Sequence, residues 1–296
     1  MAYPSPRLTA LSLVIVLSLL SPFSHATEGA GGVYPNGITD FMVGVLPPPG
    51  TYLLNSVGHY QAASFKNPGL LFQDIDFSIT SESVRIVHIT EKRLLGARYG
   101  NYVVAAFLDM NLRAANLHLH KAGFADLVVA PAILGWDRAS FHGGGGIDIN
   151  LPSGKYQSSD FLNPGRHYYA FTPFLFATLF AQGGPELSAK VMFDINSKND
   201  ASDYRSGNEL HADYAAGWHF GQKLIAGAGG YYYRQMTPDK GSGARFGDFK
   251  GRVASAGPYL SYKFGSFSLT IKVQHEMGAR NRSEGDKYWL KTVMVF

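Results

Sequence analysis

Polar and apolar side chains take turns along much of this chain, and a period of two confines those stretches to β-strand. From Glu186 to Asn196 the apolar positions Leu187, Ala189, Val191, Phe193 and Ile195 alternate with Glu186, Ser188, Lys190, Asp194 and Asn196, Met192 being the exception. A second segment sets Leu210, Ala212, Tyr214, Ala216, Trp218 and Phe220 against His211, Asp213, Ala215, Gly217 and His219. A third sets Phe267, Leu269, Ile271 and Val273 against Ser268, Thr270, Lys272, Gln274 and Glu276. Shorter stretches repeat the pattern: Leu108, Met110 and Leu112 with Asp109, Asn111 and Arg113; Ile147, Ile149 and Leu151 with Asp148 and Asn150. Successive side chains of a strand point to opposite faces of a sheet, so each segment presents one greasy and one polar face.

A soluble sandwich alternates in the same way with its apolar face inward. Three further features favour an apolar face turned outward to lipid. The last ten residues, Lys287 to Phe296, also alternate and end on an aromatic residue, as the closing strand of a bacterial outer-membrane barrel does, although an ordinary C-terminal strand reads alike. Charged residues make up only 16% of the chain and aromatics 14%, against about 25% charged in an ordinary soluble domain. Aromatics gather near segment boundaries: Tyr168, Tyr169, Trp218, Phe220, Tyr231, Tyr232, Tyr233, Tyr259, Tyr262, Phe264, Tyr288 and Trp289. Such rings suit the membrane–water interface.

The start of the chain supplies the compartment. Arg7 is followed by the apolar run Leu8–Leu20, then Pro22 and Ser24-His25-Ala26. A basic start, a short apolar core and a small-x-small end describe a secretory signal peptide, cleaved after Ala26; an uncleaved anchor is the alternative. The run is shorter than the ~20 residues of a spanning helix, and no later stretch is long enough either. There is no cysteine, which excludes a disulfide framework, a thiol nucleophile and thiolate metal ligands. The formal charge of +4 is dispersed and includes Arg7, so nucleic acid is not an expected partner.

Backbone groups in hydrocarbon must all be paired, so alternating strands in a bilayer close into a barrel. Strand starts near residues 51, 82, 101, 125, 139, 167, 185, 208, 222, 251, 266 and 286 give an all-β chain, a single antiparallel transmembrane β-barrel of about 12 strands, an even number being usual. His167–Ala181 is apolar on both sides, a strand or a buried helix; its Tyr, Phe, Thr and Pro favour strand. The polar stretches Leu151–Pro164, Ser197–Ser206 and Pro238–Asp248 are the expected long external loops. The organisation expected is residues 1–26 as signal peptide, 27–50 as an N-terminal segment and 51–296 as barrel.

Particular stretches resemble a known family. Glu28-Gly29 and Leu46-Pro47-Pro48-Pro49-Gly50 precede the first strand; Leu151-Pro152-Ser153-Gly154-Lys155-Tyr156 and Asn163-Pro164-Gly165-Arg166 follow. Then come Asn196-Ser197-Lys198-Asn199, Asp203-Tyr204-Arg205-Ser206-Gly207, Gly229-Gly230-Tyr231-Tyr232 with Gln235, Gly257-Pro258 and Asn281-Arg282-Ser283-Glu284-Gly285. Across nearly the whole mature chain these are similar to the outer-membrane proteins named after the meta-pathway of phenol degradation, with Ser153 where that family usually has threonine. The resemblance implies a Gram-negative outer-membrane channel for passive uptake of small hydrophobic or aromatic compounds. Each motif also reads simply as a strand end, a turn or an ordered loop.

With apolar faces toward lipid, the candidate lumen residues are Asp109, Asn111, Arg113, Asp148, Asn150, Lys190, Asp194, Asn196, His211, Asp213, Lys272, Gln274, Glu276, Lys287 and Lys291. Their signs are mixed, so no single-sign field emerges, and opposite charges across a narrow barrel would pair. Thr27–Gly50 could fold into the lumen as a plug or hang as a periplasmic tail. Two other functions compete with uptake: a structural or adhesive barrel without transport, and a hydrolase built on Ser206, His211 and Asp213. No serine is placed beside that His–Asp pair, so no enzyme is expected. Neither cofactor nor metal is expected. The expected partners are outer-membrane lipids, small hydrophobic or aromatic solutes, and the barrel-assembly machinery, engaged through the final strand ending in Phe296.

Overall fold

The computed structural model describes Glu28 and residues 31–66, 75–181, 183–244 and 250–295. The proposed signal peptide and Phe296 lie outside these residues.

Among the described residues, thirteen strand segments follow one another in antiparallel order. They are β1 (Gly50–Lys66), β2 (Asp76–Leu94), β3 (Ala97–Ala114), β4 (Leu117–Phe124), β5 (Leu127–Arg138), β6 (Phe141–Leu151), β7 (Ala170–Phe180), β8 (Pro185–Asn196), β9 (Glu209–Phe220), β10 (Leu224–Gln235), β11 (Arg252–Phe264), β12 (Phe267–Arg280) and β13 (Arg282–Val295). β4 and β5 share one position in the wall. β4 pairs with the far half of β3, Phe107–Ala114, and β5 with its near half, Arg98–Val104. The barrel therefore has twelve strands. It closes where β1 meets β13, paired from Tyr52 opposite Val295 to Lys66 opposite Arg282 with one bulge between Ala62 and Ser64. Closure removes the open edge between first and last strands, which hydrocarbon would penalise, while β4 has a strand partner on one side only.

Turn chemistry separates the two ends. One end has short connections such as Leu95-Gly96, both at positive φ (52° and 76°), as the tight hairpin turn requires. The opposite end carries the long segments 152–169, 197–208 and 236–244, which overlap the three expected loops; residues 245–248 of the third lie outside the described residues. Segments 197–208 and 236–244 lock together. Tyr204 donates to Asp239 at 2.6 Å, the Gly207 amide donates to Asp239 at 2.7 Å, and Arg205 and Lys240 pair their backbones.

The alternation assigns faces as the sequence indicated in β8, β9 and β12. Leu187, Val191, Ile195, Tyr214, Trp218, Phe220 and Ile271 are exposed on the outside, while Glu186, Lys190, Asp194, His211, Asp213, Lys272 and Glu276 are buried inside. Leu175 is 70% exposed and Leu187 58%. An apolar surface this continuous around the wall fits acyl chains, not water. β7 is a strand, with Phe174, Phe176 and Thr178 inward and Phe171, Leu175 and Leu179 outward.

Two expectations are corrected. Not all boundary aromatics face the membrane interface: Tyr168, Tyr231, Tyr233, Tyr259 and Trp289 are buried in the lumen. There the donors of Tyr231, Tyr233 and Trp289 reach Glu276, Glu209 and Gln274. And in the far half of β3 the faces are reversed. Met110 and Leu112 are buried against Leu162, with Phe77, Ile79 and Leu119 beside them, whereas Asn111 and Arg113 are exposed and Asp109 is partly exposed. β2 and β3 are 19 and 18 residues long, so their far ends project past the membrane, where water meets the outer face.

Candidate functional site: a divided lumen

The interior has two unlike walls. β8 to β13 contribute the charged and amide side chains; β1 to β3 and β5 to β7 contribute mainly aromatic and aliphatic ones. Residues 31–49 run inside the barrel along the polar wall. Glu28 sits among the long loops, accepting from Tyr156 at 2.8 Å and from Asn199 at 3.0 and 3.1 Å. Pro47–Pro49 lead into β1 at the short-turn end, so the segment crosses the whole lumen.

Polar side chains of the wall grip its backbone. Asp213 accepts from the Tyr34 hydroxyl (2.8 Å) and from the amides of Gly37 and Thr39 (3.0 Å each). The Lys272 ammonium donates to the carbonyls of Gly37, Ile38 and Thr39 at 2.6, 3.0 and 3.0 Å. Gln274 donates to Gly37 and Lys287 to Asn36, both at 3.1 Å; Lys291 donates to Ile38 at 2.7 Å and to Asp40 at 2.5 Å. Glu186 accepts from the Met42 amide at 2.6 Å, and Thr178 from the Gly44 amide at 2.9 Å. Gly44 has no room for a larger residue: a Cβ there would meet the backbone of Thr178 and His142. Gly37 sits at φ +80°, which favours glycine. These bonds satisfy an irregular backbone that would otherwise be orphaned at membrane depth.

The other predicted lumen residues join smaller ties. His211 bonds Asp194 at 2.9 Å and Asn36 at 2.5 Å through its two ring nitrogens, and Asp194 also accepts from Thr172 at 2.7 Å. Asp194, Glu209 and His211 bring their ligand atoms within 4.8 Å of one another, yet His211 has no free nitrogen for a metal. Ser206 has no bond to His211 or Asp213 among the described residues, so the hydrolase arrangement does not form. Glu276 accepts from Tyr60, Tyr231 and the Gly285 amide. Asn196 donates to the Gly207 carbonyl at 2.9 Å. Asp148 accepts from Tyr102 and lies 3.8 Å from the Lys190 ammonium; Asn150 donates to Asp126 at 3.2 Å. Asp109, Asn111 and Arg113 leave the set. They face outward on the projecting hairpin, where Asp109 pairs with His120 at 3.1 Å.

Two cavities beside the segment bear on a route through the lumen. The larger, ≈ 710 Å³, reaches the short-turn end and has Tyr52, Leu54, Tyr102, Ile133, Phe174 and Phe176 in its wall. The smaller, ≈ 260 Å³, lies toward the loops, with Tyr60, Phe77, Met110 and Arg166 in its wall. Ile38, Ser83, Arg85 and Val104 border both.

At the loop end, Asp239 is the titrating group. Burial pushes its carboxyl up to about 6, against bonds from Tyr204, Gly207 and Gln235 that hold it down. Burial and the neighbouring Asp239 raise the Tyr204 phenol.

A family model described as "Putative MetA-pathway of phenol degradation" matches residues 56–292. The chain belongs to this family. Its barrel is similar to that of the COG4313 outer membrane channel from Pseudomonas putida F1, with a TM-score of 0.73 and 15% identity over 85% of this chain and 97% of that one. The transport unit of the autotransporter AIDA-I from Escherichia coli follows at a TM-score of 0.54, 8% identity, and 88% and 93% coverage. The β domain of the Bordetella autotransporter BrkA gives 0.51, 10%, and 84% and 100%. No curated protein matches the chain significantly. The fold is that of outer-membrane β-barrels.

Sequence reasoning missed Arg85, Glu186, Glu209, Tyr60 and Arg282. Glu186 stood in the polar set of β8 and needed only to be carried over. Arg85 had no such signal, because β2 carries polar residues on both faces: Ser81, Ser83 and Arg85 inside, Thr80, Glu82 and His88 outside.

Proposed function

We propose that the protein is a passive outer-membrane uptake channel for small hydrophobic or aromatic compounds, partly filled by its own N-terminal segment acting as a plug. The observation that carries this reading is the ≈ 710 Å³ cavity, with Tyr52, Tyr102, Phe174 and Phe176 on one side and residues 38–47 on the other. An apolar wall with a few convergent polar groups suits a small amphipathic ligand better than a sugar. In this reading the leader is removed after Ala26, and residues 27–50 fold into the barrel as it is built. The final strand, ending in Phe296, is the one offered to the barrel-assembly machinery.

Liposome swelling tests the reading. The wild-type protein passes aromatic acids faster than sugars of similar mass, and deletion of residues 31–46 raises the flux of both. Faster sugar than aromatic passage refutes the aromatic preference, and unchanged flux after the deletion refutes the plug.

A further inference from the structure

The junction between the two cavities contains a cation with no ion-pair partner among the described residues. Arg85 borders both cavities, half-buried, with its guanidinium 4.7 Å from the centroid of the Tyr102 ring. Among the described residues its guanidinium has neither a hydrogen-bond acceptor nor a carboxylate partner. The nearby acid is already engaged: Asp148 accepts from Tyr102 through one oxygen and faces Lys190 at 3.8 Å through the other. Lys190 in turn lies 4.2 Å from the centre of the Phe174 ring. An arginine carries five donors in a planar fork, and here that side chain borders both cavities, within reach of a solute's acceptors.

The larger cavity has the same sign. Among the described residues Arg85, Lys190, Lys223, Lys263 and Lys291 border it, against the single carboxylate of Asp40, which is bonded to Lys291. Mixed charges in the sequence thus resolve, once the pairs close, into a lumen that is positive where a solute would travel.

We propose that Arg85 is the anion-binding step of this route, and that the preferred solute is an amphipathic carboxylate: one anionic head on a compact aromatic or aliphatic body. The head takes the guanidinium fork, the bidentate geometry that arginine matches best. The body lies on Tyr102, Ile133, Phe174 and Phe176, displacing water from the apolar wall. A dianion would leave its second charge against that wall; a neutral body would forgo the charge-assisted contact with Arg85. This assignment rests on the uptake reading and narrows it.

The test uses the full-length protein in detergent, titrated calorimetrically with benzoate and with the neutral isostere benzamide. Wild-type protein binds benzoate saturably and more tightly than benzamide. Arg85→Gln lowers the benzoate-to-benzamide affinity ratio about tenfold or more, the worth of one charge-assisted pair, and Arg85→Lys lowers it less. Heat-modifiable migration on gels confirms that each variant is folded. If benzoate and benzamide bind alike and Arg85→Gln leaves their ratio unchanged, the anion site is refuted while aromatic uptake stands. If neither compound binds wild-type protein, both proposals fall.

Discussion

Replacing Asp213 with asparagine should release the inner segment without unfolding the barrel. The carboxylate receives three donors: the Gly37 amide on Oδ1, and the Tyr34 hydroxyl and Thr39 amide on Oδ2. An asparagine can keep only one oxygen. Its better orientation turns the new NH2 toward Gly37, which loses that bond and sets two donors face to face, while the remaining two lose their charge assistance. One lost charged bond costs about 1.5–3 kcal/mol, and weakening the others adds about 1, giving roughly 2.5–4 kcal/mol against the docked state. At about 1.4 kcal/mol per tenfold, the undocked population rises about 60- to 700-fold. The barrel itself should hold, because Asp213 faces inward and the ladders of β9 with β8 and β10 are untouched. The chain has no cysteine, so a single Val33→Cys gives a clean reporter. Its alkylation should quicken by at least the lower of those factors in the Asp213→Asn background, and single-channel conductance should increase. Unchanged labelling and unchanged conductance would refute the claim that this carboxylate holds the segment.

Two further perturbations address the wall and the loops. In Gly144→Ala the added methyl would overlap the Leu134 carbonyl oxygen and the Phe176 ring, so a cost of about 1–3 kcal/mol should lower the temperature at which the folded gel band is lost. The Asp239 carboxyl sits near 6 in the folded loops against an ordinary 3.8, so the folded state holds its proton more tightly than the unfolded one. Docking of segments 197–208 and 236–244 is therefore strongest near pH 4, weakens as pH rises to about 6 and is level above it. Hydrogen exchange in the loops, corrected for intrinsic rates, should show that slope, and Asp239→Asn should flatten it.

Where the two faces of a strand meet different solvents throughout its length, the sequence alone assigned them correctly. β8, β9 and β12 are of this kind: lipid on one side, a wet and charged interior on the other, and one residue per face in strict turn. The assignment failed where that contrast fails. Beyond the membrane the outside of β3 is also wet, so Asp109, Asn111 and Arg113 turn outward and Met110 and Leu112 turn in to meet Leu162. Aromatic residues failed for a related reason. A tyrosine suits the interface because one end is apolar and the other hydrogen-bonds, and the same two properties suit a lumen packed with carboxylates. Tyr231 on Glu276 and Tyr233 on Glu209 are indistinguishable in sequence from Tyr232, which lies between them and faces out.

The mixed signs of the candidate residues were misleading because a list of charges omits the backbone. Lys272, Lys287 and Lys291 are held mainly by carbonyls of residues 36–39, and Asp213 by amides of residues 37 and 39. The inner segment thus serves as counterion to both signs at once, using peptide dipoles in place of opposite charges. The apolar wall meets the segment mainly through packing, with Leu46 in the same buried cluster as Tyr52, Tyr102, Phe174 and Phe176, and the part left open sets the character of the passage. There the groups in excess are aromatic rings and an arginine, and the chemistry of any solute able to pass follows from those groups more than from the residues whose charge is most evident in the sequence.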